Sequence, residues 1–213
     1  MALTFLATAT TSRAQSQDPL TLAKRVDAHY NHLSSLRATY SERYSGMGQT
    51  REEHGTLLLK KPGRMRWTYN SGKLFVLDGK FATSYTPGDT EAQRIPAKQL
   101  DDLRSPLRFL LGHTELEKEL DHLTTTPSPE GTTLTGTPHY RLTPGTEPER
   151  IQAIAVTVDS ATGQIHALRI TEIDESTTEF HFAAQQENAP VTDADFRFQP
   201  PTGVTVVDGL PPS

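Results

Sequence analysis

The chain has no cysteine. That absence excludes disulfides, thiolate metal centres, a cysteine nucleophile and a lipid-modified N-terminal cysteine, while leaving the redox state of the compartment open. Long hydrophobic runs are also missing, since no stretch approaches the roughly 18 apolar residues of a membrane-spanning helix. Charge of one sign does not dominate: 21 Lys and Arg stand against 26 Asp and Glu, giving a net charge of -5 and a pI of about 5.9. The basic residues are scattered, so there is no electrostatic footprint for nucleic acid. Aromatic residues are few, 7% of the chain, and include a single tryptophan, Trp67.

Catalytic patterns are absent as well. Of eight histidines, only His29 and His32 fall at a spacing that places two ligands on adjacent helical turns, and no acidic residue sits at the offset of a zinc motif. The other six, His54, His113, His122, His139, His166 and His181, stand singly, beside no nucleophile motif. The carboxylates Glu52-Glu53, Asp101-Asp102 and those within Glu115-Leu-Glu-Lys-Glu119 read as solvated faces. There is no Gly-rich phosphate loop. The expectation is a binding module without cofactor or metal rather than an enzyme.

At 213 residues the chain fits one substantial domain, expected over 18–208. Residues 1–17 read as a residual signal peptide or a disordered tail. The apolar run Ala2-Leu-Thr-Phe-Leu-Ala-Thr-Ala9 precedes the small and polar Thr10–Gln17, as in an h-region and cleavage region, but without the basic n-region. Residues 209–213 read as a Pro-rich tail.

Asp18 as N-cap, Pro19 in the first turn, and Leu22, Val26, Tyr30 and Leu33 at helical spacing predict an amphipathic helix over about 19–36. From Ala38 the period changes to two. Strands are predicted through Tyr44 and over Glu53–Lys60, Arg64–Tyr69, Lys73–Asp78, Phe81–Tyr85 and Gln93–Ile95, separated by Pro-Gly, Ser-Gly and Asp-Gly turns. Ala97–Leu103 and Ser105–Gly112 are helical. Further strands are expected at about 116–123, 132–136, 139–142, 151–158, 165–173, 178–184 and 195–198. The Thr, Pro and Gly of Thr124–Gly145 predict turns and irregular loops at a sheet edge. Ten or more antiparallel strands rarely stay flat and open, so a curled sheet with a few helices is expected.

Within it, Met65, Trp67 and Tyr69 alternate with Arg64, Arg66 and Thr68. On patterning alone the first three are core residues of a half-buried strand. The surrounding stretch, Gly55-Thr-Leu-Leu-Leu-Lys-Lys-Pro-Gly-Arg-Met-Arg-Trp67, resembles the signature G-x-(apolar)-x-(apolar)-K-R-P-x-x-(apolar)-x-W of the LolA family, periplasmic carriers of outer-membrane lipoproteins. Further similarities follow in family order: Val76-Leu-Asp-Gly79 with Tyr85-Thr-Pro87, then Ser105-Pro-Leu-Arg-Phe-Leu-Leu111, Ile165-His-Ala-Leu168 and Phe196-Arg-Phe-Gln-Pro-Pro-Thr-Gly-Val-Thr-Val206.

The resemblance implies an incomplete antiparallel β-barrel, a half-barrel of α+β class, closed by a lid of helices. Its implied acyl-chain cavity is lined by Met65, Trp67, Tyr69, Leu107, Phe109, Leu110, Leu111 and Phe182, with Arg64 and Arg66 facing water. The family's arginine before the proline, which latches the lid by hydrogen bonds to helix backbone, is replaced by Lys61, which lacks the planar fork of arginine. The implied partners are triacylated lipoproteins, an ATP-driven inner-membrane ABC transporter as donor, and an outer-membrane receptor or membrane as acceptor, served by a periplasmic monomer. A carrier or sensor of another envelope lipid would use the same hollow. The related receptor, LolB, is anchored through a lipidated cysteine, so a chain without cysteine fits the soluble carrier.

Overall fold

The computed structural model describes residues 17–102, 115–139 and 151–209. Helix α1 spans Pro19–His32. Asp18 caps it by accepting from the Thr21 N–H at 2.8 Å, which satisfies one of the free amides of the first turn. Leu22, Ala23, Val26 and Tyr30 form its buried stripe. The helix stops four residues short of the expected end because β1 (Ser35–Gly46) begins there, with Ser35 already paired to Lys60 and Leu36 to Leu59. Ladder hydrogen bonds take the backbone groups that a longer helix would need.

β1 is followed by β2 (Gln49–Lys60), β3 (Arg64–Tyr69), β4 (Leu74–Leu77), β5 (Phe81–Tyr85) and β6 (Glu91–Pro96), then the short helix α2 (Ala97–Asp102). After the helical turn α3 (Leu116–Glu119) come β7 (Leu120–Ser128), β8 (Gly131–Pro138), β9 (Ile151–Val158), β10 (Ile165–Glu172), β11 (Thr177–Glu187), a 3₁₀ helix (Asp193–Phe196) and β12 (Thr205–Asp208). The strands make one sheet in the order β12-β6-β5-β4-β3-β2-β1-β11-β10-β9-β8-β7. Every neighbouring pair is antiparallel except β12 with β6. Two meanders are joined where β1 meets β11, and the edges β12 and β7 do not pair with each other, so the sheet is open.

Flat, twelve strands would span about 50 Å at ~4.8 Å spacing, far more than a helix of this length, about 21 Å, could cover. Yet one core cluster runs from Ile95 on β6 through Met65, Trp67, Leu57 and Phe180 to Leu134 on β8, together with Leu22, Val26 and Tyr30 of α1. The sheet therefore curls, and its concave face carries this core. The expected half-barrel of mixed class is what the chain adopts.

Several local expectations are corrected. The strand expected at 132–136 is β8, whereas the loops expected elsewhere in Thr124–Gly145 are in part strand as well: Thr124–Ser128 continues β7, because Thr is β-branched and suits a pleated edge. Residues 116–119 are a helical turn before the strand begins at Leu120. The strand expected at 195–198 is replaced by the 3₁₀ helix, held by a capping box in which the Asp195 carboxylate accepts from the Thr192 N–H at 2.6 Å and from its hydroxyl at 2.9 Å. β12, unforeseen as a strand, returns to add to β6. Residues 140–142, of the strand expected at 139–142, lie outside the described residues.

Arg64 and Arg66 do not simply face water. On the outer face of β3, Arg64 approaches Asp193 at 3.4 Å, Lys60 also pairs with Asp193, and Arg66 Nη1 donates to the carbonyls of Asp195 and Arg197. The chain after β11 thus folds back over the outside of the sheet. Phe196 becomes fully buried, and Phe198 meets Tyr85 with ring centroids 6.0 Å apart. Val76, Thr83 and Ala92, which alternate away from the concave core, are buried on this outer side.

Candidate functional site

The centre of the concave face is an aromatic floor. Strand pairing puts Tyr40 opposite Phe182 on one side and Gly55 on the other, and Gly55 opposite Tyr69. Trp67 stands edge-on to Tyr40 at 4.4 Å, with Phe180 at 5.4 Å and Phe182 at 6.3 Å. These are the spacings at which ring quadrupoles attract. Met65 and Trp67 are each 2% exposed, and the indole N–H of Trp67 donates to Met65 Sδ, so the polar end of the tryptophan is satisfied within its own strand. Leu57 and Leu59 of β2 continue the apolar surface.

Gly55 is required here by space. A Cβ at that position would lie 2.1 Å from the Thr68 carbonyl oxygen and 2.7 Å from Tyr40 Oη. The tyrosine ring lies across the glycine, which explains the glycine that begins the β2 pattern.

One margin of the floor is polar. Glu42 and Glu53 are direct partners across β1 and β2, a like-charge pair that costs stability unless each is compensated. Tyr69 Oη donates to Glu42 at 2.9 Å, and Lys73 Nζ meets Glu53 at 2.6 Å while standing 4.0 Å over the Tyr69 ring. Burial first, then the nearby Glu42 carboxylate, pushes the phenols of Tyr69 and Tyr40 well above the usual tyrosine value. Both stay protonated donors across physiological pH.

At the far end of β2, Lys61 reaches from the turn before β3 to α1. Its Nζ donates to the Tyr30 carbonyl at 2.6 Å, and its backbone N–H donates to the Ser34 carbonyl at 2.9 Å. Tyr30 is in the last turn of the helix, where the macrodipole favours a cation, and its carbonyl also accepts from the Leu33 N–H at 3.2 Å. Burial holds the Lys61 ammonium below its usual pKa. Three further contacts hold the same helix end: Tyr30 Oη accepts from Ile165 N–H at 3.0 Å and lies 3.5 Å from Gln185 Oε1, and His29 Nε2 is 3.0 Å from a Glu187 carboxylate oxygen. The cleft beside Lys61, lined by Tyr30, Leu33, Leu36 and Leu59, has a volume of about 10 Å³, room for about one water. A broader depression of about 500 Å³ has a lining that includes Thr39, Tyr40, His54, Gly55, Asn70 and His181.

Of the residues expected at the site, Met65, Trp67, Tyr69 and Phe182 share the concave floor, and Lys61 contacts helix backbone. Leu107, Phe109, Leu110 and Leu111 lie outside the described residues. Tyr40 and Phe180 were missed. Both sit at core positions of alternating strands, but only pairing of β1 with β11 brings them to Trp67. His29 and His32 do not converge: His32 Nδ1 is 2.6 Å from the Ala28 carbonyl oxygen, and no three metal-ligating side chains cluster among the described residues.

The family model for the outer membrane lipoprotein carrier protein LolA matches residues 31–199. The chain belongs to the LolA family. Relatives that bear the name outer-membrane lipoprotein carrier protein include one from Chromobacterium violaceum, 24% identical over 87% of this chain and 86% of that protein. Another, from Proteus mirabilis, is 26% identical over 84% of each. Among solved structures, an uncharacterized conserved protein from Thermus thermophilus superposes with a TM-score of 0.56 at 14% identity, over 91% of this chain and all of that one. This last likeness concerns the fold alone.

Proposed function

We propose that this chain is a periplasmic chaperone that holds the acyl chains of lipoproteins against the concave face of its sheet and carries them from the inner to the outer membrane. The observation that carries the reading is the coincidence of family membership with a continuous floor of Trp67, Tyr40, Phe180, Phe182, Leu57 and Met65 on the inside of an open, curled sheet. Cargo would spread the parts that cover this floor, with the Lys61 bond to Tyr30 holding α1 to the rim in the closed state.

The energetics set the division of labour. Each buried methylene is worth about 0.8 kcal/mol relative to water, so several acyl chains give a large gross gain. Non-covalent affinity saturates near about -20 kcal/mol, and opening the closed core and ordering the chains subtract further. Measured against a bilayer rather than water, extraction gains little. An ATP-driven donor in the inner membrane then supplies the work of loading, and a receptor or membrane accepts the cargo, while the carrier, acting as a monomer, keeps the chains out of water between them. Residues 18–208 form the carrier domain in this reading.

The test uses the purified protein and a fluorescent acyl probe. A triacylated lipoprotein should displace the probe, and the same polypeptide without acyl chains should not. Displacement by the unacylated polypeptide as well would show a peptide-binding module instead.

A further inference from the structure

Among the described residues, three large apolar side chains stand exposed: Leu20, Met47 and Ile173. Two of them share one end of the sheet. Met47 is at the apex of the β1–β2 hairpin and Ile173 lies in the β10–β11 turn, side by side because Ser45 pairs with Thr177 and a Cβ at Gly46 would meet Ser176. β3 pairs with β2 only as far as Gly55, so residues 49–54 carry the hairpin past β3 by about 20 Å. The apex is a costly place for methionine. Its two-residue turn holds Met47 and Gly48 at positive φ, 51° and 72°, the left-handed pair for which Asn-Gly is favoured. An apolar side chain that is 85% exposed is thus kept where the backbone prefers another residue, and folding gains little from it.

The surroundings say what the apex meets. Residues 44–50 carry no charge, and the first charges behind them are cationic, Arg43 and Arg51, with the Arg51 guanidinium 5.0 Å from the centre of the Tyr44 ring. An apolar apex, an uncharged shoulder, an amphipathic aromatic ring and then guanidinium groups follow the depth profile of a bilayer from acyl chains through the interface to the phosphates. We propose that the β1–β2 tip, with Met47 leading and Ile173 beside it, dips into the interface of a zwitterionic phospholipid surface. Glu172, Asp174 and Glu175 flank Ile173, and an anionic surface would repel them. The contact orients the concave trough: Tyr40, Glu42 and Tyr44 follow one another along the inner side of β1 towards the tip, so the aromatic floor opens along the hairpin to the membrane. In that respect the proposal rests on the carrier reading, while the docking itself needs no cargo. Two side chains of this size give a weak, reversible contact, as a shuttle requires.

The experiment adds phosphatidylcholine vesicles to the full chain without acyl cargo and follows co-flotation. Because the chain has no cysteine, Met47→Cys carries a single nitrobenzoxadiazole label, and Ala161→Cys, exposed in the β9–β10 turn at the opposite end of the sheet, carries the control label. Emission should rise and shift to the blue at position 47 and stay unchanged at position 161. Met47→Asn should lower the partition onto vesicles about ten-fold, the loss expected for one buried apolar side chain, with the melting temperature unchanged or raised because the turn is relieved. Met47→Leu should keep the partition of wild type, and replacing part of the phosphatidylcholine with phosphatidylglycerol should weaken it. No flotation of wild type, equal flotation of Met47→Asn, loss in Met47→Leu, tighter binding to phosphatidylglycerol, or a response at position 161 instead of 47 each overturns the proposal. So does a benzophenone at position 47 that, in native envelope vesicles, crosslinks to protein and not to lipid, since the tip would then belong to a protein recess. Failed displacement of an acyl probe with flotation intact strikes the carrier reading alone, and the reverse pattern strikes the docking alone.

Discussion

Tyr40 and Gly55 face each other across the β1–β2 ladder, and the tyrosine ring occupies the space that any side chain at Gly55 would need. The contact places the aromatic floor as a unit, because Tyr40 in turn supports Trp67 and Tyr69. Gly55→Ala forces a methyl group against both the Thr68 carbonyl and the tyrosine. Overpacking of this kind costs about 1–3 kcal/mol, which for a domain of this size lowers the melting temperature by roughly 2–4 °C per kcal/mol. An unchanged melting temperature in Gly55→Ala would show that the strands can part here without cost.

Lys61 should govern release more than stability. Lys61→Met removes one charge-assisted bond to the end of α1, worth about 1.5–3 kcal/mol when shielded and less here because the lysine is partly solvated. The expected phenotype is a small drop in melting temperature with faster delivery of labelled lipoprotein to acceptor vesicles. Lys61→Arg, with a planar fork able to engage more than one carbonyl, should slow delivery relative to wild type. Identical delivery rates in all three proteins would remove Lys61 from the mechanism.

The C-terminal fold-back should be the acid-sensitive part. Hydrogen bonds from Lys60 to Asp193, from the Thr192 N–H to Asp195 and from Arg94 to Asp208 hold all three carboxyls below their usual value of 3.8. A carboxyl that titrates lower in the folded chain than in the unfolded one contributes stability above that usual value and loses it as the pH falls through the folded value. Between neutral pH and about pH 5 the segment should stay in place. Below pH 3.8 it should loosen before the main core, seen as early loss of amide protection in residues 193–208. Asp193→Asn should bring part of that loss to neutral pH, and protection lost uniformly over the chain would argue against a separable segment.

The only tryptophan reports directly on the concave face. Trp67 is packed among Tyr40, Phe180, Phe182 and Met65, so its emission in the empty protein should be that of a buried indole. A brominated acyl chain bound on the floor should quench this emission in a saturable way, and an unbrominated chain should compete the quenching away. Quenching confined to collisional levels would place the cargo elsewhere.

Alternation of apolar residues was enough to locate β3, β5 and β9 to the residue, because a strand with one buried face must repeat at period two. The order of turns and the motif around Lys61, Met65 and Trp67 likewise carried the family and the half-barrel. Alternation assigns a residue to a face but says nothing about which strand lies beside it. The pairing of β1 with β11, which delivers Phe180 and Phe182 to Tyr40 and Trp67, was settled only by the closure of distant segments into one sheet. The same limit hid the partners of Arg64 and Arg66: their own strand marks them as outward-facing, whereas the acids and carbonyls they hold come from a segment that returns after β11. That return also turned an expected strand into a capped 3₁₀ helix, since the local bonds between Thr192 and Asp195 satisfy the backbone before any ladder can. Chemistry along the chain determined which surfaces this protein has; burial against distant residues decided what each of them meets.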